Sequence, residues 1–195
     1  MIIVRHRINT REALEAVPPA HGVEIDLRST GGQLCLEHDP FVSGEPFTEW
    51  LGSYRHRLLI VNVKEEGLEE RALALLAGRG IEEFFFLDQS FPFLVRTVRA
   101  GEQRTAVRVS EYESVETALA LAGLAGWIWV DCFSRLALDG AQAAALRGAG
   151  YRLCFVSPEL QGRTAESETR FMRQTLASRG IEPDAVCTKR PQLWV

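Results

Sequence analysis

Residues 58–87 read LLIVNVKEEGLEERALALLAGRGIEEFFFL. The stretch opens on an apolar run, Leu58–Val63, too short for a helix. It continues through a segment of helical character, Leu68–Ala77, passes Gly80 and enters a second apolar run, Phe84–Leu87. Strand, helix, glycine stop and strand make one βα unit followed by the start of the next. The same unit recurs on both sides. Strand-like runs precede it at Ile2–Val4 and Val23–Leu27, and follow it at Thr105–Val109, Ile128–Val130, Leu153–Val156 and Ala185–Cys187. Between the runs lie helical segments at 11–17, 47–54, 91–100, 114–122, 140–147 and 164–178. Gly80, Gly101, Gly123, Gly150 and Gly180 sit where helices end and can take the left-handed cap conformation. Ser114 and Asp139 are suited to cap the helices that follow them. Eight such units predict a compact (β/α)8 TIM barrel occupying residues 1–195 as one domain. About 250 residues is usual for that fold, so the loops must be short. A doubly wound sheet is the competitor, but no glycine-rich phosphate loop follows the first strand, only Arg5-His6-Arg7-Ile8-Asn9.

Composition narrows the function. The chain is 46% hydrophobic and 25% charged, ordinary for a folded protein, with a net charge of -4. No Lys/Arg run is present, which argues against broad binding to nucleic acid or an anionic membrane and for a small-molecule partner. Cys35, Cys132, Cys154 and Cys187 form no CxxC pair and read as buried free thiols. The first residues enter a strand pattern at once, without an apolar run long enough for a signal peptide or membrane span, so a cytoplasmic protein is expected.

The polar residues beside predicted strand ends are less ordinary. Before residue 40 the chain carries His6-Arg7, then Glu24-x-Asp26-x-Arg28, then Glu37-His38-Asp39. Residues two apart on a strand share a face, with Cα atoms roughly 6.6 Å apart. Glu24 and Asp26 are therefore expected to offer their carboxylates to one cation, while Ile25 and Leu27 face the outer helices. The same alternation in Val61-Asn62-Val63-Lys64 points Asn62 and Lys64 to the barrel mouth, and Trp129 and Asp131 repeat it. Two acids on one face repel and call for a counter-charge, either a bound cation or a network with Arg7, Arg28 or Lys64. His6 and His38 fall at the end of the barrel where active sites are built, whereas His21 and His56 read as solvent-exposed loop residues. Arg108, Asp131 and Lys189 are expected to touch substrate. Asp88, Ser110, Glu111 and Ser157 also fall near strand ends, where caps and loop hydrogen bonds are needed whatever the chemistry. A phosphodiester needs its oxygens neutralised, its nucleophile deprotonated and its leaving oxygen protonated, and this set divides those tasks.

The order His6-Arg7, Asn9-Thr10, Glu24-x-Asp26-x-Arg28, Gly32 and His38-Asp39 resembles the glycerophosphodiester phosphodiesterase family, within the phosphatidylinositol-phospholipase-C-like superfamily. Asn62-Val63-Lys64 looks like that family's Glu-x-Lys strand, and Thr188-Lys189-Arg190-Pro191 is similar to its Thr-Asp-x-Pro. Between residues 65 and 184 only the architecture agrees. The resemblance implies a phosphoric diester hydrolase in which His6 and His38 are the acid/base pair and Arg7 and Lys64 hold phosphate. It also implies a divalent cation, calcium or magnesium, on Glu24 and Asp26, with Asn62 where the family commonly has a third carboxylate. Ile8 replaces a usual glycine, and residues 39–58 are too few for the family's inserted subdomain, which leaves the mouth open. Two other functions compete: a metal-independent phosphodiester lyase, against which the paired acids argue, and a non-catalytic phosphate-binding barrel.

Overall fold

The computed structural model describes residues 1–195 and contains ten β-strands and seven α-helices. The strands are β1 (Ile2–Arg5), β2 (Gly22–Thr30), β3 (Gln33–Leu36), β4 (Glu45–Pro46), β5 (Leu59–Val63), β6 (Phe84–Leu87), β7 (Ala106–Val109), β8 (Trp127–Val130), β9 (Arg152–Val156) and β10 (Ala185–Thr188). The helices are α1 (Arg11–Glu15), α2 (Phe47–Ser53), α3 (Glu69–Gly78), α4 (Phe91–Arg99), α5 (Val115–Leu119), α6 (Gly140–Gly148) and α7 (Glu166–Ser178). All eight expected strands and all seven expected helices are present.

Eight of the strands pair in parallel in the order β6-β5-β2-β1-β10-β9-β8-β7, giving a curled, barrel-like sheet. The expected barrel differs at one seam. Between β6 and β7 a single parallel bridge, Phe86 to Thr105, stands in place of a ladder, with Phe86 N–H donating to Arg104 O at 2.9 Å. Phe86 is third in its strand and Thr105 lies just ahead of β7, so these four-residue strands are staggered.

Alternation along each strand divides the apolar residues into layers. Ile25, Leu27, Val61 and Val63 lie in a cluster with Phe47, Trp50 and Leu76 of α2 and α3. A matching cluster joins Val107, Ile128 and Phe155 to Leu146 and Leu176 of α6 and α7. A third cluster fills the inside of the sheet with Ile2, Val4, Ile60, Phe85, Trp127, Trp129 and Cys187. Phe85 stacks on Trp127 with ring centroids 4.5 Å apart. β2 gives this inner layer no apolar side chain. Gly22 stands at its start because a Cβ there would meet Leu58 O at 2.9 Å and Val4 Cγ2 at 3.0 Å, and Glu24 and Asp26 follow on the same face. The inner packing thus ends in buried carboxylates at the carboxyl-terminal end of the strands, where such sheets build their sites.

Short caps begin the helices as expected. Ser114 Oγ accepts from Thr117 N–H, and Asp139 with Gln142 forms a reciprocal capping box. The segment after β2 forms a β-hairpin with it. β2 turns through Gly31 and Gly32, both at positive φ, and β3 returns antiparallel. Glu37 N–H then donates to Asp26 O at 3.0 Å, so the hairpin brings Glu37–Asp39 back beside the mouth.

The four cysteines are free and buried. Cys154 and Cys187 lie inside the sheet, where burial pushes both thiols well above their ordinary range and leaves them unreactive. His21 and His56 both depart from the exposed-loop reading. Each is half-buried with an unpartnered Nδ1, and His56 Nε2 lies 3.0 Å from Val17 O. No helix is long and apolar enough to cross a membrane.

Glu111 illustrates how a loop that follows a strand is held. Its carboxylate accepts N–H bonds from Phe133, Ser134 and Arg135 at 3.1, 2.7 and 2.8 Å, and the Ser134 hydroxyl at 3.0 Å. Slight burial acts to raise its carboxyl, but these donors win and hold it near about 2. The stabilisation is full above the ordinary value of 4.5 and is lost as pH falls towards 2. Glu111→Gln is expected to cost about 1 kcal/mol, the low end for a charged acceptor because the site is solvated. Chemical denaturation at pH 7 and pH 3 checks this, with the difference from wild type shrinking at the lower pH.

Candidate active site

The β1–α1 loop is fastened to β2 through four polar contacts. Arg7 takes a left-handed backbone conformation, φ 55°, uncommon without glycine, and its N–H donates to Glu24 Oε2 at 2.7 Å. Ile8 N–H donates to Glu24 O at 2.8 Å. Asn9 brackets Asp26, donating from Nδ2 to Oδ2 and accepting from the Asp26 N–H, both at 2.9 Å. Ile8 is buried in the outer layer, and its carbonyl accepts from Trp50 Nε1 at 3.0 Å. The non-glycine residue therefore packs behind the loop. On the other side His6 N–H donates to Thr188 O at 3.2 Å, which leaves the His6 ring 3.8 Å from Glu24 Oε2.

The charges beneath this loop are out of solvent. Glu24 is 1% and Asp26 0% exposed. The positions of Asp26 and Asn62 are paired across β2 and β5, and Asn62 Nδ2 donates to Glu24 Oε1 at 3.0 Å. Lys64 Nζ lies 3.2 Å from Asp26 Oδ1, and Arg7 Nε lies 3.8 Å from its Oδ2. Arg7 and Lys64 thus supply the counter-charges, whereas Arg28 turns away to Glu65 at 3.4 Å and to His38 O at 3.0 Å. Burial, then the Asp26 charge, pushes the Glu24 carboxyl up to about 7. Burial, then the charges of Arg7 and Lys189, brings His6 down to about 4. His6 is therefore a neutral imidazole at pH 7, able to accept a proton.

Asp26 Oδ1, Asn62 Oδ1 and His6 Nδ1 are buried without hydrogen-bond partners, Lys64 meeting Asp26 as an ion pair outside hydrogen-bond geometry. Unpaired buried oxygens are costly, and two of these sit at paired positions of neighbouring strands. Two carboxylates and an amide oxygen are the hard donors that calcium or magnesium takes. No group of three or more His, Cys, Asp or Glu side chains is placed to hold a metal, so a cation here would need an oxygen from Asn62 beside the two carboxylates.

His38 stands apart from this group. It lies on the loop after β3, half-exposed, with Nδ1 2.7 Å from Asp39 Oδ1 and its carbonyl held by Arg28. The His38 bond, aided by the charges of Arg7 and Arg28, keeps the Asp39 carboxyl below its ordinary value. No hydrogen bond or ion pair joins the His38 ring to His6, Glu24 or Asp26. Lys189 is close enough for its charge to act on His6, and its N–H donates to Glu159 Oε1 at 3.0 Å. Glu159 also accepts from the Thr188 and Ser157 hydroxyls, which ties the ends of β9 and β10 together. Glu159 and Asn9 are polar residues of the mouth to which sequence reasoning gave no role.

Arg108 and Asp131 are joined to each other. Arg108 pairs with Asp131 and with Asp88, a residue at φ 59°, and Gln161 Nε2 donates to Asp131 Oδ1 at 2.6 Å. Burial raises the Asp131 carboxyl even though Arg108 lowers it. The Arg108 guanidinium is neutralised by these acids, so the expected substrate contact is here a separate network across β6, β7 and β8.

No protein-family model and no curated protein matches the sequence. Solved structures do match in fold. A glycerophosphodiester phosphodiesterase from Agrobacterium tumefaciens superposes with TM-score 0.66 at 17% identity, covering 99% of this chain and 98% of that one. A glycerophosphoryl diester phosphodiesterase from Parabacteroides distasonis gives TM-score 0.67 at 15% identity, over 98% of this chain and 84% of that one. A mutant tryptophan synthase α-subunit from Pyrococcus furiosus gives 0.56 at 11% identity, over 96% and 85%. The chain has the fold of these proteins. The likeness to two phosphodiesterases agrees with the resemblance carried by the motifs of the first 40 residues.

Proposed function

We propose that this protein is a divalent-metal-assisted phosphodiesterase of the glycerophosphodiester type, built on a compact (β/α)8 barrel closed at the β6–β7 seam. One observation carries the reading: His6 stands 3.8 Å from Glu24 at a strand end that also gathers Asp26, Arg7 and Lys64. Glu24, Asp26 and Asn62 would hold the cation, which when bound supplies charge for the phosphoryl oxygens. Arg7 and Lys64 orient and neutralise the phosphate. His6 takes a proton from a water or a neighbouring substrate hydroxyl, and His38, oriented by Asp39, protonates the leaving alcohol. Asn9 keeps Asp26 in place, and Glu159 keeps Lys189 at the rim.

Calcium and magnesium should each bind chelator-treated protein in a calorimetric titration, and Glu24→Ala/Asp26→Ala should abolish that binding. Because Glu24 protonates near about 7 and the cation needs the carboxylate, affinity should fall between pH 8 and pH 6, with proton release on binding. Affinity unchanged in Glu24→Gln would remove Glu24 from the ligand set. A second reading rests on Lys64, which already places a positive charge 3.2 Å from Asp26. Full activity in chelator, ending in a cyclic phosphate, would favour that metal-independent lyase.

A further inference from the structure

Outside the mouth, the loop after β8, the segment before α7 and α7 itself enclose a cleft of about 470 Å³. Three arginines line it, Arg135, Arg163 and Arg179, against one carboxylate, Glu168. Arg179 is held by backbone carbonyls, which fix a guanidinium without neutralising it, whereas Arg163 is shared between a carbonyl and the Glu168 carboxylate. Arg163 Nη2 donates to Cys132 O at 2.7 Å, Nη1 meets Glu168 at 3.1 Å, and its Nε is buried with no partner. Arg179 Nη1 donates to Leu136 O at 3.5 Å and to Leu138 O. The Arg135 guanidinium makes no ion pair or hydrogen bond, although its backbone N–H is held by Glu111. A local excess of positive charge therefore persists on a chain whose net charge is -4.

The same cleft has an apolar side. Leu136 and Met172 are buried beneath it, while Phe171 is 67% exposed at its edge. Planar guanidinium groups match phosphate oxygens in pairs, and an exposed ring beside them can cover an apolar substituent.

We propose that this cleft is a binding site for a phosphomonoester bearing an apolar group, separate from the mouth. The phosphate takes Arg135, Arg163 and Arg179, and the apolar group lies over Phe171 and Met172. Phenyl phosphate and hexyl phosphate represent aromatic and alkyl sources, with inorganic phosphate as the bare anion. The full chain should bind at least one organic phosphate more tightly than inorganic phosphate, and the preferred one identifies the source.

Arg135→Glu should weaken organic phosphate binding at least tenfold, and Phe171→Ser should remove the preference over inorganic phosphate. The Arg135 guanidinium has no internal partner and its backbone bond to Glu111 is kept, so its variant should keep the wild-type melting temperature. Lys64→Met, which alters the mouth, should leave this binding intact. Three results would overturn the proposal: no binding of any probe, equal binding of all three by the wild type, or binding lost in Lys64→Met and kept in Arg135→Glu.

Discussion

His6→Gln is expected to lower kcat on a glycerophosphodiester by about 10²–10⁴-fold, the range for removing a positioned acid or base. The side chain is suited to that role by its place, at the end of β1 and 3.8 Å from Glu24. Burial and the nearby Arg7 and Lys189 bring it down to about 4, so its proton-accepting form dominates at neutral pH. Glutamine keeps the polarity and much of the volume without that proton chemistry. The melting temperature should change little, because His6 Nδ1 has no partner to lose and the loop is held by the backbones of His6, Arg7 and Ile8. A steady-state assay with a parallel thermal melt checks both parts. Unchanged turnover would remove His6 from the chemistry.

Trp50→Ala should be the most damaging single change to stability, about 3–5 kcal/mol by the large-to-small scale for buried aromatic residues. Trp50 is fully buried, stacks on Tyr54 with centroids 5.7 Å apart and donates to Ile8 O at 3.0 Å. For a chain of this size that corresponds to a fall of roughly 6–20 °C in Tm. Trp50→Phe separates packing from positioning. It keeps most of the apolar volume but leaves the Ile8 carbonyl unpaired, costing about 1–3 kcal/mol. Because that carbonyl lies two residues from His6, Trp50→Phe should also lower kcat more than its loss of stability explains. Unfolding curves and kinetics on the same preparations test this, and normal kcat in Trp50→Phe would release the loop from dependence on α2.

The strands were legible because each is a short apolar run ended by a charge or a glycine. The same alternation that put Ile25 and Leu27 outward put Glu24 and Asp26 inward, so the buried half of the site could be read from period alone. The long-range polar pairings could not. Nothing in the local sequence around Arg108 says that it will meet Asp88 and Asp131 from two neighbouring loops, and so it read as free for substrate. Glu159 was missed for the same reason, since its partners Thr188 and Lys189 lie about thirty residues on. Its one local signal was Ser157, two residues earlier at the end of a strand run. The hairpin after β2 is marked by Gly31-Gly32, but its return against β2 depends on pairing that an isolated extension does not reveal. The seam at β6 and β7 depends on a stagger between strands, which hydrophobic pattern does not encode.

The ends of β1, β2 and β5 are proposed to form one metal-assisted phosphodiester site. Its most direct test is the hydrolysis of glycerophosphocholine by chelator-treated protein before and after adding calcium or magnesium. Multiple turnovers should appear with the cation, release a phosphomonoester and disappear in Glu24→Ala/Asp26→Ala. Turnover that is equal with and without the cation, or that survives in that variant, would contradict this assignment.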